Sequence, residues 1–200
     1  MPDRVTRFRY HKFTVDVLVT GVGMIPTAVY TSMLLSRQTY DAVINAGICG
    51  SFNRQFSLGE VLNVTNDSLP ETGAEDGEHF LSLIDLQLID QDEYPYEGGI
   101  LKNHSVFESK LLSGLRLATG ATVNRVLGSR QSIASFVATH NADIETMEGA
   151  AFIFACKVHN VRFIQIRSVS NYVEERDKTK WNIPLAVQNL NDLLIGLLNE

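Results

Sequence analysis

RFIQIRSVS, residues 162–170, reads as a strand without a polar face. Phe163, Ile164, Ile166 and Val169 crowd both faces, and near-continuous apolar strands suit a sheet covered on both sides. VDVLVTGVG (15–23) and YDAVINAG (40–47) repeat the design, and each ends in glycine. EVLNVTND (60–67) and ATVNRVLG (121–128) read as weaker strands. Helical patterns alternate with them. Pro26 can occupy the first turn of a helix over 26–36. Residues 131–139 read as a short helix and 147–159 as a buried one. The run 183–200 reads as an amphipathic helix, with Leu185, Leu190, Leu193, Leu194, Leu197 and Leu198 at helical spacing. Strands alternating with helices predict an α/β layered domain.

The bulk numbers agree. The 200 residues are enough for one compact domain with its own core. A net charge of −6 argues against DNA or an anionic membrane as partner. No apolar run approaches the roughly 18 residues that span a bilayer, and the basic start MPDRVTRFRYHK is followed by no signal-type segment. Cys49 and Cys156, both in apolar surroundings, read as buried free thiols of a reducing cytoplasm. The stretch 67–99 is polar, acidic and irregular, and a loop of that length in a compact domain is more often functional than idle.

Three segments carry the chemistry. TGVGM (20–24) follows a strand and precedes a helix, but a dinucleotide fingerprint would need glycine where Pro26 stands and an acid where Asn45 stands. Its glycines serve a tight turn or let backbone approach a ligand. NAGICGSF (45–52) reads as a second glycine-rich strand end, on the carboxyl-terminal rim where open α/β sheets bind ligands. RSVSN (167–171) is the third. Arg167 inside an apolar strand requires a buried anion. Glu148, in ETMEGAAF (145–152) at the head of a small, apolar helix, is the natural partner. The pair is either a structural ion pair or part of a site. Asn171, read as following the strand, is a turn residue or a ligand contact. Glu145 reads as a solvated or capping acid. Together with Glu148, the three segments place a carboxylate, a guanidinium and an amide on one rim, which is a small-molecule site.

VTGVGM (19–24), NAGICGSF, GAEDGE (73–78), ETMEGAAF and IRSVSNYVEERDKTKW (166–181), in this order, resemble the nucleoside phosphorylase/nucleosidase superfamily, and within it the futalosine hydrolases of the futalosine route to menaquinone. The resemblance covers the whole chain. It implies one domain over 1–200: a three-layer fold with a mixed, mostly parallel central sheet flanked by helices. It implies hydrolysis of the N-glycosidic bond of futalosine with release of hypoxanthine, without cofactor or metal, by a cytoplasmic homodimer or higher homo-oligomer. Glu148 would accept hydrogen bonds from the ribose hydroxyls and stabilise oxocarbenium character. Met147 would pack on the sugar, and Arg167 would orient Glu148 and the water. Gly21, Gly23, Gly47, Ile48 and Ser170 would line the pocket, and the 67–99 loop would close over the far end of the substrate. Adenine-releasing relatives carry an aspartate where Asn171 stands. An amide suits a 6-oxopurine, whose oxygen a carboxylate would repel. Relatives also begin with an additional strand that carries a glutamate read as general base. That strand is expected to be missing here, since the only acid before residue 16 is Asp3, in a segment reading as surface. Two alternatives follow. One is a 6-oxopurine nucleoside phosphorylase, with Arg54 and Arg130 as phosphate cations. The other is a nucleoside-binding relative with impaired catalysis.

Overall fold

The computed structural model describes residues 4–200. In chain order these form β1 (Val5–Tyr10), β2 (Phe13–Leu18), α1 (Met24–Leu35), β3 (Val43–Ser51), β4 (Val61–Ser68), β5 (Gly73–Asp76), β6 (His79–Ser82), β7 (Leu101–Lys102), α2 (Lys110–Ser113), β8 (Arg116–Thr122), α3 (Arg130–Thr139), β9 (Ile144–Thr146), α4 (Gly149–Val158), β10 (Phe163–Tyr172) and α5 (Ile183–Leu198). The central sheet is mixed, in the order β10-β3-β9-β8-β4-β7. β10 runs parallel to β3, and β8 parallel to both β4 and β9. β4 also pairs antiparallel with β10, so five strands close into a ring. Cys49, Leu62, Val64, Ala118, Ile144 and Val169, drawn from all five ring strands, pack with Phe56 into one buried cluster. Helices flank the sheet. α4 packs against α1, and α5 lays Leu190, Leu193, Leu194 and Leu197 beside Ile164 and Ile166 of β10.

The expected α/β class holds, and so do the helices over 26–36, 131–139, 147–159 and 183–200, within a few residues at their ends. RFIQIRSVS is the spine of the sheet: the first eight residues of β10, Phe163 to Ser170, are all buried.

Several strands differ from expectation. The 15–23 segment is not a central strand. β2 pairs antiparallel with β1 in a separate two-stranded ribbon, with Arg7 directly opposite Asp16. The Arg7 guanidinium donates twice to Asp16, at 2.7 Å each, and the Tyr40 hydroxyl adds a third bond at 2.6 Å. A local hairpin closes with less loss of chain entropy than a long-range parallel pairing. It leaves Val17 and Val19 exposed, which an apolar pattern alone does not foresee. The 40–47 strand starts later and runs on to Ser51, so Gly47 and Gly50 lie within β3 and not in a loop beyond it. Asn171 lies inside β10, opposite Gly50. The 121–128 strand sits earlier, at 116–122, because its parallel ladders with β4 and β9 end at Ala121 and Thr122. The 67–99 stretch is not a plain loop, since it carries the β5–β6 hairpin. Among the described residues, β3 meets β9 only at Gly50 and Ser51, so over 43–49 it is paired on the β10 edge alone. Asp3 lies outside the described residues.

Candidate functional site

The site is built at the head of α4. Seven of the ten α4 residues are buried, and Phe154 and Val158 form its exposed stripe. Its first amides are capped from the side. The Gly149 amide donates to the Thr146 hydroxyl (3.1 Å) and the Ala150 amide to the Thr122 hydroxyl (2.7 Å). Thr122 in turn donates to Asp67 Oδ1 (2.8 Å), and Gln165 Nε2 donates to Asp67 Oδ2 (3.0 Å). Burial pushes the Asp67 carboxyl up to about 6, against the pull of these bonds. Gly149 is required here, because a Cβ on it would stand 2.1 Å from Asp67 Oδ2.

Glu148 occupies the N-cap position, yet its side chain makes no capping bond. The two threonines have taken that task, which leaves its carboxylate for other donors. The Gly23 amide donates to Oε1 at 3.0 Å, and Arg167 Nη1 approaches Oε2 at 3.5 Å. Gly23, at φ 98, is the residue before α1, so the TGVGM turn delivers a backbone N–H to the carboxylate. The N-terminal dipole of α4 favours a negative charge at the same place.

Arg167 is 3% exposed. Burial pulls its guanidinium below the usual arginine range, while Glu148, then Cys49 and Asp67, oppose the shift. Among the described residues, Nε and Nη2 are buried with no hydrogen-bond partner. Such donors are costly to leave unpaired, and they suit an oxygen-bearing ligand or water. Gly47 faces Arg167 across the β3–β10 ladder, and a Cβ there would lie 2.1 Å from Nη1. A missing side chain on one strand thus makes room for the guanidinium of the next.

Asn171 repeats that arrangement with Gly50. Its Oδ1 accepts from Ser170 Oγ (2.8 Å) and its Nδ2 donates to the Tyr172 carbonyl (3.1 Å), which fixes the amide plane. Ser170 is buried and also reaches the Cys49 carbonyl at 3.1 Å, so it stands behind Asn171. The structure therefore brings Gly23, Glu148, Arg167 and Gly47 together, with Asn171 and Ser170 further along the same strand. Met147 and Ile48 are half-buried beside Glu148 and Gly47 in the chain. Gly21 is exposed, nearest Arg4 and Pro26.

Glu145 is not a solvated acid. It is 4% exposed, on β9, where the sheet covers it. The Asp67–Thr122–Thr146 network was missed as well. Its one signal in the sequence is an acid closing an alternating strand, EVLNVTND.

Arg54 and Arg130 form no free cationic cradle. Arg54 pairs with Glu174 (2.5 Å) and Arg130 with Glu175 (2.8 Å). A shallow cavity of about 530 Å³ between α3 and the end of β10 has Ile133, Val137 and Val173 among its lining, with Arg130, Glu174 and Lys180. It borders the Asn171 side through Val173 and includes neither Glu148 nor Arg167. No described helix is long and apolar enough to cross a membrane.

Known proteins share this fold. The model of the phosphorylase superfamily matches residues 2–199. A futalosine hydrolase of Streptomyces coelicolor is 30% identical over 183 residues, which are 88% of this chain and 75% of that protein. A futalosine hydrolase of Thermus thermophilus is 27% identical over 186 residues, 92% of this chain and 80% of that protein. Among solved structures, the native futalosine hydrolase of Helicobacter pylori superposes with a TM-score of 0.77 at 16% identity, covering 98% of this chain and 83% of that one. The 5′-methylthioadenosine/S-adenosylhomocysteine nucleosidase of the same organism, bound to butyl-thio-DADMe-Immucillin-A, gives 0.78 at 16% identity, covering 98% and 84%. At such identity the two structures speak to the fold.

Proposed function

The chain belongs to the phosphorylase superfamily, and from that membership we propose that it is a nucleosidase, hydrolysing the N-glycosidic bond of futalosine and releasing hypoxanthine. The observation that carries this reading is the Glu148 carboxylate, excused from capping α4 and held between the Gly23 amide and Arg167. The activity for which the futalosine hydrolase relatives are named supplies the substrate.

In this mechanism Glu148 receives the ribose hydroxyls. As the C–N bond lengthens, positive charge grows on the sugar, and a fixed carboxylate stabilises it more than the neutral ground state. Little rearrangement is needed, because a backbone amide and a buried guanidinium already hold the carboxylate. The unpaired Nε and Nη2 of Arg167 orient the attacking water. Met147 packs on the sugar, with Gly47 and Ile48 beside it. Asn171 donates to the leaving base and tolerates a 6-oxo group. Ser170 holds the Asn171 amide in register. Phosphorolysis fits less well, because Arg54 and Arg130 are each engaged by a glutamate. The same reading expects one domain, a homo-oligomeric assembly and a cytoplasmic location.

The substrate panel that tests it is futalosine, inosine and 5′-methylthioadenosine, each with and without phosphate, with free base followed by chromatography. Hypoxanthine from futalosine, independent of phosphate, is the expected outcome. Preference for adenine release would overturn the Asn171 argument. Strict dependence on phosphate would overturn hydrolysis.

A further inference from the structure

The nucleosidase reading, on which this inference rests, leaves one step without a donor. A departing purine anion needs a proton, and the amide of Asn171 has none to give up. Across the ring sheet, Glu145 of β9 pairs with Gly50 of β3, and Gly50 pairs with Asn171 of β10. Gly50 has no side chain, so its two neighbours lean over it. The point where a Cβ would stand is 3.2 Å from Glu145 Cγ and 3.2 Å from Asn171 Nδ2, with Val173 closing the remaining side at 3.0 Å. Among the described residues, the Glu145 carboxyl accepts one hydrogen bond, from the Leu127 amide to Oε2 at 3.1 Å. Its other oxygen has no hydrogen-bond partner among the described residues.

We propose that Glu145 is a second catalytic residue, the acid that protonates the departing base beside Asn171. The C–N bond breaks and its electron pair goes to the base. The Glu145 carboxyl proton passes to a ring nitrogen of that base, leaving Glu145 as carboxylate. Water supplies hydroxide to the sugar carbon, and the proton it releases restores Glu145. Atoms and charge balance as hydrolysis.

The protonation state fits the task. Burial, helped by the nearby Glu71 charge, pushes Glu145 up to about 7. The Leu127 amide and Arg176 pull it down. Cys49 on β3 also faces it and stays neutral, with its thiol pushed up to about 12. The acid form therefore holds below about 7 and is lost above it.

The test is Glu145→Gln, which keeps the shape and the acceptor for Leu127. Two substrates are compared: futalosine, whose base leaves only when protonated, and 4-nitrophenyl β-D-ribofuranoside, whose leaving group departs as a stable anion. The expected result is a loss on futalosine of about 10²–10⁴, the range for a positioned acid, with the riboside rate little changed. Wild-type kcat/KM on futalosine is expected to fall above about pH 7, and the variant to lack that limb. Thermal melting of the variant checks the fold. Equal loss on both substrates, no loss on futalosine, or an unchanged alkaline limb would overturn the assignment to Glu145. A folded wild-type protein that releases base from neither futalosine nor inosine would overturn the nucleosidase reading, and this assignment with it.

Discussion

At the scale of single residues, the site rests on side chains whose chemistry conflicts with their surroundings. A guanidinium in an apolar strand and a carboxylate at the head of an apolar helix are conspicuous in sequence, and Arg167 and Glu148 were legible for that reason. Glu145 was not. Its burial depends on β3 and β8 arriving on either side of β9, and no local pattern states that. The glycines are informative through what they make room for. Gly47→Ala places a methyl group 2.1 Å from Arg167 Nη1, so the guanidinium must leave Glu148. We expect kcat to fall at least tenfold, while overpacking lowers stability by about 1–3 kcal/mol; steady-state kinetics and denaturant melts measure the two effects. Asn171→Asp puts a carboxylate where the 6-oxo group would lie. The ratio of adenine to hypoxanthine release should rise, and competition between methylthioadenosine and inosine reads it. An unchanged ratio would remove Asn171 from base selection.

At the scale of elements, α4 shows why the helix was legible and its supports were not. The small, apolar run from Gly149 is written in the sequence. That Thr122, 28 positions before Ala150, accepts its amide is a matter of strand register. Thr122 joins the helix start to buried Asp67, so Thr122→Val strips an acceptor from the Ala150 amide and a donor from the Asp67 carboxyl. Leaving buried partners unsatisfied costs about 1–3 kcal/mol each. Chemical denaturation should show a loss in that range, and the activity of the folded fraction should fall as Glu148 loses its fixed position. Thr122→Ser should restore both, since it returns the hydroxyl. The hairpin β1–β2 teaches the opposite lesson. The apolar run 15–23 reads as a core strand, but Arg7, Asp16 and Tyr40 fix it as a surface ribbon, because the nearer pairing partner wins.

At the scale of the whole molecule, the alternation of strands and helices was enough for the α/β class. The closed ring was not legible, since it depends on β4 turning to pair antiparallel with β10, about 100 residues away. The buried acids give the molecule a pH signature. Asp67 and Glu145 hold their protons more tightly folded than unfolded, so their stabilisation is full below the ordinary carboxylate range and is lost as pH rises through about 6 and about 7. Asp16, held down to about 2 by Arg7 and Tyr40, works the other way: its contribution is present above the ordinary range and is lost as pH falls towards 2. The melting temperature should therefore decline between pH 5 and pH 8, and Glu145→Gln should flatten that decline. All of this serves one chemical claim, that a carboxylate fixed at the head of α4 drives hydrolysis of a nucleoside. The most direct measurement is the initial rate of hypoxanthine release from futalosine in phosphate-free buffer, for the wild type and for Glu148→Gln. We expect steady release by the wild type and a loss of about 10²–10³ in the variant, the range for removing one electrostatic stabiliser. Full activity in a folded Glu148→Gln protein would contradict the claim.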